Sequence, residues 1–288
     1  MSENSTSSWW PAPAKLNLFL HITGQREDGY HLLQTVFQLI DLTDQLKFTL
    51  TQDGAITRAS TLAGVAEEDD IVVKAARLLQ SYSHSSLGAI ITVDKKLPMG
   101  GGLAGGSTDA ATTLVALNKL WGCGLDIAQL CELGLTLGAD VPVFIQGHSA
   151  WAEGVGEQLQ AIELPENWFL VINPGISVST TEIFRSTELR RDCPTSTIRD
   201  FLATASAQEN QAGFTNVFTP LVRKQYPKID AAMQDLAEFA EPKLTGTGGC
   251  IFAAFSSQTD AQDAFARLSS RWQAWLARGL NHSPLLAK

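Results

Sequence analysis

Long apolar runs are missing from this 288-residue sequence, and so is any excess of basic charge. Nothing in it approaches the roughly 18 consecutive apolar residues of a membrane-spanning helix, which excludes that kind of membrane protein. Lys and Arg total 21 against 30 Asp and Glu, a formal charge of −9. No broad basic face is therefore available to bind nucleic acid regardless of its sequence. A single nucleotide is a different matter, because a local site can be positive on an acidic chain. Cysteine is scarce. Cys123, Cys131, Cys193 and Cys250 form no C-x-x-C pair and no metal-ligand spacing with the five histidines. Reduced thiols in a cytoplasmic protein are the expectation. Internal repeats and low-complexity tracts are also absent. The first fifteen residues, "MSENSTSSWWPAPAK", show no basic stretch followed by an apolar one and no Arg. Neither a secretory signal nor a transit peptide is supported, and the segment reads as a short disordered lead-in.

What is present is an ordinary globular composition, 44% hydrophobic and 18% charged, on a chain long enough for two modest domains. "AKLNLFLHI" alternates as a strand, with Leu16, Leu18, Leu20 and Ile22 on one face and Lys15, Asn17, Phe19 and His21 on the other. "TGQREDGY" is a turn, followed by extended structure through "HLLQTVFQLIDLTDQLKFTL". "EEDDIVVKAARLLQSY" reads as a helix with an acidic start suited to the dipole. "GAIITVDKKL" is a strand ended by Pro98. A helix from about Ser107 carries Ala110, Leu114, Leu117 and Trp121 on one face. "LDIAQLCELGLTLG" is a second helix, closed by Gly138. "VPVFIQGHSAWAEGVGEQLQAI" reads as strands with turns, and a buried strand near "LPENWFLVINPG" suggests a boundary near residue 160. Beyond it, helices are expected over about 181–190, 196–204, 229–240 and 258–279, with strands such as "CIFAAF". Helices and strands without a regular βαβ rhythm indicate the α+β class.

Five glycines fall within positions 100–106, in "KLPMGGGLAGGSTDAA". Pinned between a strand and an amphipathic helix, they do not suit a flexible linker. Gly100, Gly102 and Gly105 spell G-x-G-x-x-G, but a dinucleotide fold needs a second strand with an acidic residue about 20 positions on, and a second helix follows instead. A phosphate loop of the Walker kind fails for want of a Lys before Ser107. What survives is another anion cradle. Glycines let successive N–H groups converge, and a helix opened by Ser107 offers free N–H groups and the positive end of its dipole. Ser107 is equally suited to be the helix N-cap. Asp109, in the first turn, would repel a phosphate unless it faces away or meets a cation.

"PMGGGLAGGSTDAA" resembles the second motif of the galactokinase–homoserine kinase–mevalonate kinase–phosphomevalonate kinase (GHMP) superfamily, and "LTGTGGCIFAAF" resembles its third. "PAPAKLNLFLHITGQREDGYHLLQTVFQLIDLTDQL" is similar to the N-terminal signature of the branch that acts on a cytidylated methylerythritol in the non-mevalonate route to isoprenoid precursors. The resemblance covers nearly the whole chain. It implies a two-domain fold with the active site in the interdomain cleft, an ATP-binding domain over 11–160 and a second domain over 161–288 contributing to substrate binding. It also implies transfer of the γ-phosphoryl group of ATP, with Mg²⁺, to the 2-hydroxyl of that cytidylated alcohol.

By the same resemblance Asp140, in "LGADVPVF", is the catalytic base, although an Asp after a helix-ending glycine is by itself usually a turn residue. Lys15 is the second catalytic residue, placed to offset charge on the substrate oxygen. The nucleotide-binding segment is Pro98, Met99, Gly100, Gly101, Gly102, Leu103, Ala104, Gly105, Gly106, Ser107 and Thr108. Gly246, Thr247 and Gly248 are expected close by, and Lys95 or Lys96 beside the adenine. Substrate binding falls to Asn17, to Tyr30 as a stacking face, to His31 on the cytosine edge, and to Thr180 and Phe184 as the opposite wall. Asp70-Ile71 stands where the family often has Asn-Leu, which leaves the adenine contacts open. No carboxylate pair marks a metal cage, although Ser107 is a candidate Mg²⁺ ligand. The only partner expected is the small-molecule substrate, with no nucleic acid and no membrane, on a monomer or weak homodimer. Other readings are a homoserine- or mevalonate-type kinase, which Tyr30-His31 disfavours, and a catalytically silent nucleotide-binding protein, which Lys15 with Asp140 disfavours.

Overall fold

The computed structural model describes residues 8–60, 65–207 and 213–288. The first half of the expected lead-in, residues 1–7, lies outside them. The second half is not a lead-in: strand β1 (Trp10–Gln25) starts there, with Trp10, Ala12 and Ala14 buried. Pro11 and Pro13 are tolerated because β1 pairs on one side only, with β2 (His31–Thr51), and needs no donor on its outer edge.

After β2 come β3 (Ile56–Arg58), α1 (Ile71–Ser83), β4 (Gly88–Asp94), α2 (Gly105–Trp121), α3 (Ile127–Leu137) and α4 (Val141–Gln146). The chain continues through β5 (Ala150–Glu153), β6 (Gln158–Ala161), β7 (Trp168–Asn173), α5 (Thr180–Arg185), α6 (Ile198–Ala207), α7 (Thr219–Gln225) and α8 (Pro227–Ala237). It ends with β8 (Lys243–Leu244), β9 (Ile251–Phe255), α9 (Gln258–Leu268) and β10 (Gln273–Leu280). Among the described residues ten strands join in one sheet, ordered β3-β4-β2-β10-β7-β9-β8, with β1 and β5 also on β2 and β6 on β5. Among the strand pairs of the described residues only β3–β4 is parallel, with one isolated parallel bridge between Leu20 and Asn216. None of the described helices is long and apolar enough to cross a membrane.

Two helical layers cover this sheet in different places. Helices α1 to α4 pack Val73, Leu79, Leu114, Leu117 and Phe144 against Leu39, Phe48 and Ile91 of the first strands. Further along, α7, α8 and α9 set Val222, Ile229, Met233 and Ala261 against Leu170, Ile172 and Ile251. A third cluster, with Leu16, Ile40, Leu103, Phe169 and Phe252, ties the two parts together. Each such Val, Leu, Ile, Met or Phe side chain contributes about 1.5–3 kcal/mol on full burial.

The helix expected over about 181–190 ends at Arg185, Thr219–Gln225 is a helix that was not expected, and two further stretches change class. Val141–Gln146 is a short helix, not a strand: Pro142 sits in its first turn and Gly147, at φ 70°, stops it. Its five leading residues are all buried, so the apolar run carries no period that separates helix from strand. The helix expected over 258–279 stops at Leu268, and Gln273–Leu280 extends to pair with β7 and, at Gly279 and Leu280, with β2. Pairing on both sides outweighs local helix propensity there.

Candidate active site

The strand alternation that was to put Lys15, Asn17, Phe19 and His21 on one face is broken by a bulge. The β1–β2 register shifts between Asn17 and Leu20, so Lys15, Asn17 and Leu20 line one cleft. Phe19 turns away into an aromatic cluster with Trp151, Phe201 and Phe214. The cleft has a volume of about 670 Å³ and runs from Asp70 and the glycine loop, past Lys15 and Asp140, to Phe184.

Lys15 is only 2% exposed. Its Nζ donates to Asn17 Oδ1 at 2.6 Å and to Gly102 O at 3.1 Å, and lies 3.5 Å from Asp140 Oδ2. The Phe37 ring is beneath it, 5.3 Å to the centroid. Asp140 directly precedes α4, yet its carboxylate makes no capping bond and its side chain is 34% exposed. The turn-residue reading therefore fits its backbone and leaves its side chain free for the cleft. Asn17 is engaged within the protein. Its Oδ1 also accepts from Gly246 N at 3.0 Å, and its Nδ2 donates to Thr35 Oγ1 at 3.0 Å. It ties β1 to the C-terminal glycine loop.

The two glycine loops pack backbone on backbone. Cys250 N donates to Gly101 O at 2.9 Å, and Thr245 Oγ1 to Gly102 O at 3.3 Å. A Cβ on Gly102, at φ 75°, would lie 2.3 Å from Thr245 O, and one on Gly249 would lie 2.4 Å from Gly100 O. Much of the glycine content thus serves contact between loops as well as any ligand. Thr247 reaches across to Thr180, their hydroxyl oxygens 2.8 Å apart. Burial pushes the Cys250 thiol up to about 12, so it is packing, not a nucleophile.

Helix α2 starts at Gly105, two residues before the expected position. Its N-cap is Ala104, held left-handed at φ 58° with no side-chain cap. Ser107 is therefore inside the first turn, where backbone N–H groups lack acceptors within the helix. Of the two alternatives left open for Asp109, facing away or meeting a cation, the second is found. Lys95 Nζ donates at 2.6 Å both to Asp109 Oδ2 and to Asp44 Oδ2. Asp44 Oδ1 in turn accepts from the backbone of Leu97 at 2.8 Å. Burial, together with the second carboxylate, pushes Asp109 up to about 7 despite the Lys95 charge. Lys95 is thus committed to two carboxylates, while Lys96 is exposed beside Asp94.

Asp70 caps α1, accepting from Val72 N at 3.0 Å, and is paired with Arg58, a partner the sequence did not mark. Both line the end of the cleft beyond the glycine loop. At the opposite end Leu33, Ala139, Val155 and Phe184 continue into a hollow walled by Tyr30 and His31. Tyr30 is 65% exposed, and His31 lies 5.0 Å from Phe184 between ring centroids. Partial burial, then the neighbouring Arg191 charge, lowers the His31 pKa. Arg191, Phe37 and Leu20 were not foreseen as site residues, since none stands in a motif of its own.

The GHMP kinases N terminal domain matches residues 70–148, and the GHMP kinases C terminal domain matches residues 198–274. The chain is 54% identical over 277 residues to the 4-diphosphocytidyl-2-C-methyl-D-erythritol kinase of Nitrosococcus oceani, covering 96% of each chain. It is 53% identical to the enzyme of that name from Xanthomonas axonopodis, covering 97% of this chain and 92% of that one. The crystal structure of a 4-(cytidine 5'-diphospho)-2C-methyl-D-erythritol kinase superposes with a TM-score of 0.83 at 30% identity, over 94% of this chain and 99% of the other. Methanococcus jannaschii mevalonate kinase, at 17% identity and a TM-score of 0.70 over 97% of this chain and 100% of its own, shares the fold. With its glycine loops, its cleft and these relatives in agreement, the chain belongs to the GHMP kinase family, in the group of 4-diphosphocytidyl-2-C-methyl-D-erythritol kinases.

Proposed function

We propose that the protein transfers the γ-phosphoryl group of ATP to the 2-hydroxyl of 4-diphosphocytidyl-2-C-methyl-D-erythritol, giving the 2-phosphate and ADP. One observation carries the reading: a single cleft joins the glycine loop, the Lys15–Asp140 pair and the Tyr30–His31–Phe184 hollow in that order. A substrate with a base at one end and an alcohol at the other fits that order, its hydroxyl beside Asp140 and its pyrimidine between Tyr30 and Phe184.

Asp140 takes the proton from the attacking hydroxyl, a role that contributes about 10²–10⁴-fold. Lys15, held by Asn17 and Gly102 O, stabilises the negative charge that develops between acceptor and phosphoryl group. Asn17 acts by fixing Lys15 and Gly246, and Thr180 by its link to Thr247. The residues from Pro98 to Thr108 cradle the ATP phosphates, and the Arg58–Asp70 end faces the adenine. Mg²⁺ fits the cleft beside the glycine loop, where Ser107, in the first turn of α2, offers a hydroxyl oxygen of the hard kind this ion takes. Ser107 is the side chain that would hold it, and the ion neutralises phosphate charge when bound. The division near residue 160 is our reading of the domains, supported by the β5–β6 hairpin that ends at Ala161. Four free thiols suit a reducing, cytoplasmic setting.

Phosphorus NMR of the product formed from ATP and the cytidylated alcohol tests the assignment. A new monoester coupled to carbon 2 of the methylerythritol is expected. A phosphate on any other oxygen would overturn the placement of the hydroxyl beside Asp140.

A further inference from the structure

The guanidinium of Arg191 is bound four ways, and one bond runs to a ring that walls the substrate hollow. Nη1 donates to Leu189 O at 3.0 Å, and Nη2 donates to Phe184 O at 2.7 Å and to Ser186 O at 3.0 Å. Nε donates to Nε2 of His31 at 3.0 Å. A guanidinium has donors only and does not deprotonate in proteins. Nε2 of His31 must therefore turn its lone pair to Arg191, and the proton of the neutral ring must sit on Nδ1. Partial burial and the adjacent cation both disfavour a doubly protonated ring. Among the described residues no hydrogen bond reaches Nδ1, which leaves that N–H for a ligand.

Cytosine and uracil differ at ring N3, an acceptor in the first and an N–H donor in the second. A fixed Nδ1–H complements cytosine and opposes uracil. We propose that Arg191 is a positioning residue that determines specificity, fixing His31 as the Nδ1–H tautomer so that this end of the cleft selects cytosine over uracil nucleotides. The inference rests on reading the Tyr30–Phe184 hollow as the cytidine end. The three carbonyl bonds also brace the turn after α5, and a brace alone would weaken both pyrimidines alike.

The test titrates CDP and UDP separately into the full-length protein and into Arg191→Gln, with ADP saturating the phosphate loop. Glutamine can offer His31 either a donor or an acceptor, so both tautomers become available. The unaltered protein is expected to prefer CDP by about tenfold or more, and Arg191→Gln to narrow that ratio to about threefold or less, the scale set by one hydrogen bond. Equal weakening of both nucleotides with the ratio intact would overturn the proposal and leave the cytidine reading standing. No preference in the unaltered protein would overturn both. Should Arg191→Gln not fold, long-range nitrogen–proton spectra of histidine-labelled unaltered protein decide the matter. An Nδ1–H signature for His31 near neutral pH supports the proposal, and an Nε2–H or imidazolium signature sinks it.

Discussion

Asp140 and Lys15 come from distant segments and meet at 3.5 Å, and the proposed chemistry depends on that pair. Replacing Asp140 by Asn should lower turnover by at least about a hundredfold while ATP binding stays largely intact; unchanged turnover would remove Asp140 as the base. Asp109 makes a second prediction. Its folded pKa, about 7, stands above the value of an unfolded Asp, so the folded state binds the extra proton between those two values. Stability contributed by this group therefore rises as pH falls through 7. The melting temperature of the unaltered protein, relative to Asp109→Asn, should climb between about pH 8 and pH 5. A flat difference would mean that Lys95 fully offsets the burial of Asp109. Lys15, Tyr30 and Asp140 were marked in advance by the motifs they sit in, and they line the cleft or the hollow that continues it. Arg58 and Arg191 were not, since each acquires meaning only from a partner that folding brings to it. The difficulty raised by Asp109 was visible in the sequence, but its answer, Lys95, was not.

Among the elements, α2 was the clearest in advance: Ala110, Leu114 and Leu117 are buried as their spacing requires. Its start was misplaced because Ala104, a non-glycine residue, takes the left-handed conformation that ends the loop. The glycine loop was read as a cradle, while its packing against residues 245–249 was hidden, because contact between two backbones leaves no residue pattern except glycine itself. Gly102→Ala tests both roles at once. A Cβ 2.3 Å from Thr245 O at positive φ should both lower the melting temperature and weaken ATP binding, the conformational strain alone costing about 1–3 kcal/mol. Unchanged ATP affinity would place the nucleotide phosphates elsewhere. The β1 bulge was illegible for a related reason. Alternation in "AKLNLFLHI" is intact on paper, and only the pairing with β2 reveals the shift that turns Leu20 to line the cleft.

At the scale of the molecule, mixed helices and strands indicated α+β, but strand order was out of reach. β10 lies between β2 and β7, so the last strand of the chain joins the two covered regions of the sheet. Such pairing has no local signal, and the same stretch read as a helix. The cleft is lined from both regions, by Lys15, Gly102 and Asp140 from one and by Phe184, Gly246 and Thr247 from the other, so its two ends can be tested separately. Tyr30→Ala should weaken binding of the cytidylated substrate by about 1–3 kcal/mol and leave ATP affinity nearly unchanged. Equal losses for both would mean that the hollow beside His31 is not the base-binding end. In the proposed function one cleft couples cytidine recognition to phosphoryl transfer. Its most direct test is ADP release by the purified protein with ATP and Mg²⁺, comparing 4-diphosphocytidyl-2-C-methyl-D-erythritol with 2-C-methyl-D-erythritol lacking the cytidine diphosphate. Turnover with the first and none above background with the second is the predicted result; equal turnover with both, or none with either despite ATP binding, would contradict it.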